Sequence, residues 1–189
     1  ETHADDSQSA HLQLASVRLN RAETVLATDL IATNAVATAV TRQTLLISAE
    51  LTGLMDRALE MTLEYLRTRQ QFGKPIGSFQ VLQHRAVDMW IQRQLARAVV
   101  DAQVAVFDSG GDAALRAQGA SSAKARAAQA ALFLCNQAIQ LHGAIGFTDE
   151  YELGQLVNRA LTLSAWLGNA AEHRQRLSTA WVPAEAGAA

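Results

Sequence analysis

The 189-residue chain has a single cysteine, and aromatic residues make up only 5% of it. One thiol, Cys135, excludes an internal disulfide, and its alanine-rich apolar surroundings mark it as a small buried hydrophobe. Neither sign of charge dominates: 16 Lys and Arg against 18 Asp and Glu leave a net charge of -2. That balance gives no electrostatic footprint for nucleic acid or an anionic membrane. The five histidines (His3, His11, His84, His142, His173) lack ligand spacing, which argues against a metal site. There is no uninterrupted apolar run long enough for a bilayer, no signal-peptide pattern, no internal repeat and no low-complexity linker. The expectation is a cytoplasmic protein with neither a nucleic-acid nor a membrane partner.

What is present is periodicity. With 49% hydrophobic and 18% charged residues the chain can bury one sizeable core. Residues 4–9 are polar, and His11 to Leu19 alternates apolar with polar as a half-buried strand does. From Asn34 to Arg69 the pattern is helical, with Leu51, Leu54, Ala58, Met61 and Tyr65 on one stripe and Asp56, Arg57, Glu60, Glu64 and Arg67 on the other face. A second helix is predicted from Phe79 to Asp108, with Leu82, Ala86, Met89, Leu95, Ala98, Ala102 and Ala105 inward and a stop at Ser109-Gly-Gly-Asp112. A third runs from Ser121 to His142, and a fourth from Glu150 to Leu167 carries Leu153, Leu156, Val157, Ala160 and Leu163 on its core stripe. A short last helix spans Ala170 to Ala180. Long helices joined by short turns predict an all-α fold, an antiparallel four-helix bundle with a short N-terminal strand remnant.

The break between the first two helices reads Arg69-Gln-Gln-Phe72-Gly-Lys-Pro-Ile-Gly-Ser78-Phe-Gln80-Val-Leu-Gln83. Gly73 and Pro75 stop the helical run, and Ser78 is expected to cap the next helix. A fixed cation, Arg69, stands beside an aromatic ring, Phe72, with the amides of Gln71, Gln80 and Gln83 close by. By spacing alone this is an ordinary interhelical turn, although such a corner can hold a phosphate and a flat ring together. The run resembles the Arg-x-x-Phe-Gly-x-x-Ile-x-x-Phe-Gln-x-x-Gln segment of the acyl-CoA dehydrogenase family, in its C-terminal helical domain. The resemblance implies a flavoprotein in which Arg69, Gln71, Phe72 and Gln80 contact the FAD of a neighbouring subunit.

A second segment, Gln140-Leu-His142-Gly143-Ala144-Ile-Gly146-Phe-Thr-Asp-Glu150-Tyr151, is similar to the family's Gln-x-x-Gly-Gly-x-Gly-Phe-x-x-Glu-Tyr signature, with Ala144 in place of the second glycine. It implies further cofactor contacts at Gln140, His142, Gly143 and Ala144. The resemblance also divides the chain into residues 1–30 as the end of a preceding β-domain or linker, 31–182 as the C-terminal bundle, and 183–189 as a disordered tail. The chain, which begins at Glu1, is then expected to be the C-terminal portion of a longer subunit.

The family's chemistry requires a carboxylate to take the α-proton of an acyl-CoA thioester. In most members it immediately precedes a Gly-Thr pair late in the chain, where this sequence has Leu167 before Gly168. The alternative position on the first helix holds Gln43, the family's acyl-CoA-holding Asp-x-x-Arg pair falls on Thr41 and Thr44, and the segment after the base reads Asn169-Ala-Ala171. Corner residues persist while the base is replaced. That pattern implies a base-less subunit that helps bind FAD beside a homologous acyl-CoA dehydrogenase subunit in a dimer or tetramer. Two other readings stand: a conventional dehydrogenase or related flavin oxidase or monooxygenase with a relocated base such as Glu50, and a non-enzymatic helical assembly module.

Overall fold

The computed structural model describes residues 2–4, 10–12, 28–110, 112–148 and 151–181. Strands β1 (Thr2–Ala4) and β2 (Ala10–Leu12) pair antiparallel, His3 opposite His11. The strand expected from His11 to Leu19 is therefore seen over its first two residues, and the rest lies outside the described residues. So do Gly111 and Glu150, and the tail 183–189.

Among the described residues five α-helices follow: α1 (Asp29–Thr68), α2 (Gln80–Asp108), α3 (Ala113–His142), α4 (Glu152–Ala165) and α5 (Ala170–Trp181). The first four form the expected bundle, and α3 is its hub, packed against α1, α2, α4 and α5. Alanine makes that possible. Ala123, Ala127, Ala130, Ala131 and Ala138 are fully buried, and their small side chains let α3 meet several helices at once. Leu51 and Met55 of α1, Met89 of α2, Leu134 of α3 and Leu153 of α4 fill the space between. The stripes predicted on α1 and α4 lie inward, with Leu54, Tyr65 and Leu156 at the margins. Cys135 is 3% exposed, and burial pushes its thiol up to about 11, as expected of an inert core residue.

Three expectations are corrected. The third helix starts at Ala113, eight residues before Ser121, because 113–120 has Leu115 as its one large apolar residue and so no stripe to announce a helix. On α2, Leu82, Ala86 and Met89 face inward, but the core stripe continues through Ala96 and Val100, leaving Leu95, Ala98, Ala102 and Ala105 exposed. Alternating steps of three and four residues carry the stripe from Met89 to Arg93, Ala96 and Val100, and α2 is apolar on the opposite face as well. Arg93 and Arg97 both bond Asp56 and so tie α2 to α1. Finally, Ser78 does not cap α2: its hydroxyl donates to the Pro75 carbonyl at 2.7 Å, and Phe79, which cannot cap, occupies the N-cap position.

At 40 residues α1 is about 60 Å long. Its first four turns project, with Leu30, Ile31 and Val36 at 71%, 73% and 63% exposure. By length and composition alone α1 could cross a membrane; its C-terminal two thirds are instead the core helix of the bundle.

Candidate functional site

The break between α1 and α2 is a miniature hairpin. Strands β3 (Gln70–Gln71) and β4 (Lys74–Pro75) pair antiparallel, Gln70 opposite Pro75 and Gln71 opposite Lys74. The two residues between them, Phe72 and Gly73, both have positive φ, 55° and 77°, the sign pattern of a type I′ turn. Glycine takes that conformation freely. Phenylalanine does so at a cost of about 1–2 kcal/mol, and here its ring is 90% exposed rather than packed into a core. A bulky residue held in a strained backbone and pointed at water is a mark of a functional site.

The hairpin is anchored from behind. Ile76 N–H donates to the Arg69 carbonyl at 2.8 Å, and Gln83 Nε2 to the Gly77 carbonyl at 2.9 Å. A Cβ on Gly77 would lie 2.8 Å from the Leu66 carbonyl oxygen, so no larger residue fits where the loop crosses α1. Phe79 meets Phe72 edge-on at 6.1 Å, with the Lys74 ammonium 4.4 Å from its ring centre. Arg69, Gln71, Phe72 and Gln80 are all exposed, and so is Gln83.

The second segment abuts the first. The Tyr65 ring, one helical turn before Arg69, stacks on His142 at 4.5 Å, and His142 in turn lies 5.3 Å from Tyr151. This aromatic column joins the end of α1 to the end of α3, so both motifs lie at one end of the bundle. Gly143, with φ of 67°, terminates α3, and a Cβ there would meet nothing within 4 Å, leaving backbone open to approach. Gln140 and Ala144 are exposed. His142 is different. It is 3% exposed, its Nδ1 sits 2.8 Å from the Ala138 carbonyl, and burial lowers its pKa. Its ring stands between the two motifs, and its Nε2 is buried with no hydrogen-bond partner among the described residues.

At the α4–α5 turn, where the resemblance puts the base, Leu167 and Gly168 both have positive φ, 58° and 111°. The turn is held from below by Lys124, 0% exposed, whose Nζ donates to the Ser164 and Gly168 carbonyls at 3.1 and 2.8 Å. Asn169 caps α5: its Oδ1 accepts from Ala171 and Glu172 N–H, while Glu172 accepts from the Asn169 N–H. That Asn-x-x-Glu pattern was available in the sequence as a cap signal. His173, 1% exposed, lies beneath the same turn, and burial together with the Arg176 and Lys124 charges pushes its pKa down to about 4. Because the unfolded chain takes up a proton near the ordinary 6.5 and the folded chain resists it to about 4, stability is complete above 6.5 and is lost as pH falls between those values. Thermal melts at pH 7 and pH 4.5 are expected to show a larger acid loss for the wild type than for His173→Gln.

The alternative base positions hold no free carboxylate. Gln43 is exposed, Thr41 and Thr44 donate back to Ala37 and Val40, and Glu50 is engaged by Arg159 Nε at 2.7 Å. Among the described residues, no group of three or more His, Cys, Asp or Glu could hold a metal ion.

Residues 33–181 match the family model described as the acyl-CoA dehydrogenase C-terminal domain, and the chain belongs to that family. It is 38% identical over 133 residues to the acyl-CoA dehydrogenase IpdE2 of Mycolicibacterium smegmatis, a match that covers 70% of this chain and 40% of that one. Among solved structures it superposes on the ChsE4–ChsE5 complex of Mycobacterium tuberculosis with a TM-score of 0.71 at 28% identity, over 77% of this chain and 39% of that one. It also superposes on the Tcur3481–Tcur3483 steroid ACAD with a TM-score of 0.68 at 29% identity, over 72% and 37%. The chain thus spans about two fifths of the length of these relatives.

Proposed function

We propose that this chain is the C-terminal bundle of a longer, cytoplasmic, FAD-dependent acyl-CoA dehydrogenase subunit that lacks its own base. In this reading it lends its α1–α2 hairpin to a homologous, base-bearing subunit in a dimer or tetramer. The observation that carries the reading is Phe72: a 90% exposed aromatic in a left-handed turn, one side of a corner that also presents Arg69, Gln71 and Gln80 outward. Being exposed in the single chain, the corner is open to a neighbour.

The residues fit a flavin dinucleotide. Arg69 supplies a permanent cation with a planar fork suited to a pyrophosphate. Phe72 supplies an apolar face, Gln71 and Gln80 supply amides, and the uncovered Gly73 and Gly143 let backbone approach without a Cβ in the way. When bound, FAD supplies the hydride acceptor for α,β-desaturation of an acyl-CoA thioester. This chain's residues bind and orient. The Tyr65–His142 stack fixes the two motifs relative to each other. None of them moves a proton from substrate carbon, because Leu167 is hydrocarbon and Gln43 has no basic oxygen at neutral pH. The two-component names of ChsE4–ChsE5 and Tcur3481–Tcur3483 support a paired assembly.

The full-length subunit, purified alone and with a co-expressed base-bearing homologue, is expected to hold stoichiometric flavin only in the second case. A colourless assembly would instead favour a purely structural helical module.

A further inference from the structure

We infer that Lys74 is a second phosphate-binding residue of the hairpin. Resting on the flavin reading of the same corner, it acts with Arg69 to hold the diphosphate of a dinucleotide between two cations.

Charge around the hairpin is one-sided. Residues 67–87 contain Arg67, Arg69, Lys74 and Arg85 and not one Asp or Glu, in a chain whose net charge is -2. Elsewhere arginines find carboxylates: Arg57 bonds Glu60 and Glu152, Arg93 and Arg97 bond Asp56, and Arg159 bonds Glu50. Arg69 and Lys74 are exposed, and neither forms an ion pair with a described residue.

The ladder puts these two charges on one face. In an antiparallel pair, residues directly opposite each other share a face and successive residues alternate. Gln71 stands opposite Lys74, and the bond from Ile76 N–H to the Arg69 carbonyl carries the pairing one step further, with Arg69 extended at φ -70° and ψ 125°. Arg69, Gln71, Lys74 and Ile76 therefore project to one side, Gln70 and Pro75 to the other. Ile76 is partly buried against the bundle and roots that face. Arg69 and Lys74 are diagonal neighbours on it, about 7–8 Å apart, a span that two long side chains can close over.

Like charges so placed repel each other in the single chain, and no described carboxylate offsets them. An anion that bridges them does. A diphosphate, with one charge on each phosphate, answers both cations, where a lone carboxylate answers one. Lys74 is also seated for the task. Its ammonium lies 4.4 Å from the centre of the Phe79 ring, and Phe79 meets Phe72 edge-on. The ring holds the charge through its π-face, so N–H donors remain for phosphate oxygens beside the Phe72 ring.

The test is FAD binding to the deflavinated assembly of the full-length subunit with its base-bearing homologue, followed by flavin fluorescence at low and high salt. Lys74→Met keeps a side chain over Phe79 and removes the charge. It is expected to weaken FAD at least ~10-fold at low salt and to flatten the salt dependence. Lys74→Arg, which keeps the charge, is expected to stay within ~3-fold of wild type. Because Lys74 is exposed, the melting temperature stays unchanged in both variants. If Lys74→Met binds FAD as wild type does while Arg69→Ala releases it, the inference fails and the flavin reading stands. Weaker binding with an unaltered salt slope would make Lys74 a prop for Phe72, which overturns the inference as well. CoA also carries a diphosphate: dependence of CoA binding on Lys74, with FAD binding indifferent to it, would give the two-cation face to the other ligand and overturn the assignment. An assembly that binds no FAD in any version ends the flavin reading and this inference together.

Discussion

Arg69→Ala in the assembled protein is expected to lose flavin on gel filtration. Its guanidinium is exposed at the base of the hairpin, directly before the strand pair, with the Ile76 amide bonded to its carbonyl. The backbone is thus fixed while the side chain is free to meet an anion. Removing a charge-assisted hydrogen bond costs about 1.5–3 kcal/mol, equivalent to a roughly 10- to 150-fold weaker flavin. Because the side chain makes no ion pair among the described residues, the melting temperature of the isolated chain is expected to stay constant. Arg69→Lys should recover only part of the retention, since an ammonium keeps the charge but loses the planar fork. Unchanged flavin absorbance in Arg69→Ala refutes the assignment of this corner.

Lys124→Ala has the largest expected effect on stability. The side chain is wholly buried, its ammonium bridges carbonyls on either side of Leu167, and burial lowers its pKa to about 8. Alanine leaves both carbonyls without their donor and a channel where the four-carbon stem lay. The combined cost is about 3–5 kcal/mol, which for a domain of this size lowers the melting temperature by roughly 10 °C. Lys124→Met separates the two contributions: it refills the channel, removes the buried charge and still leaves the carbonyls unpaired, so it should lose less. Equal melting temperatures for wild type, Ala and Met would show that the lysine does not hold the turn.

Helices whose burial follows one clean stripe were legible from residue order. The inward sets on α1 and α4 could be read because Leu, Met and Val recur at three and four residues against charged neighbours. Gly143 ends α3 as its position implied. On α2 the same reasoning misassigned Leu95, Ala98, Ala102 and Ala105, since a helix apolar on two sides gives no phase to choose between. The start of α3 was hidden for a related reason: residues 113–120 hold a single large apolar side chain, Leu115, so no stripe marks the helix there.

At the site, residue types and the resemblance pointed to the corner, but the hairpin geometry was not visible. Nothing in Phe72-Gly73 announces a left-handed phenylalanine, because the flanking strands are only two residues long and carry no alternating pattern to mark a hairpin. Lys124 and His173 escaped notice because a lysine and a histidine on helices read as surface residues. Only the packing of α3 against α4 and α5 encloses them.

The central claim is that this chain furnishes a flavin-facing corner but no base. The most direct measurement is acyl-CoA-dependent reduction of an electron acceptor by the full-length subunit, alone and co-expressed with a homologue that carries the late-chain glutamate. The account predicts turnover only in the mixed assembly, abolished when the homologue's glutamate becomes glutamine. Robust acyl-CoA oxidation by this subunit alone would contradict it.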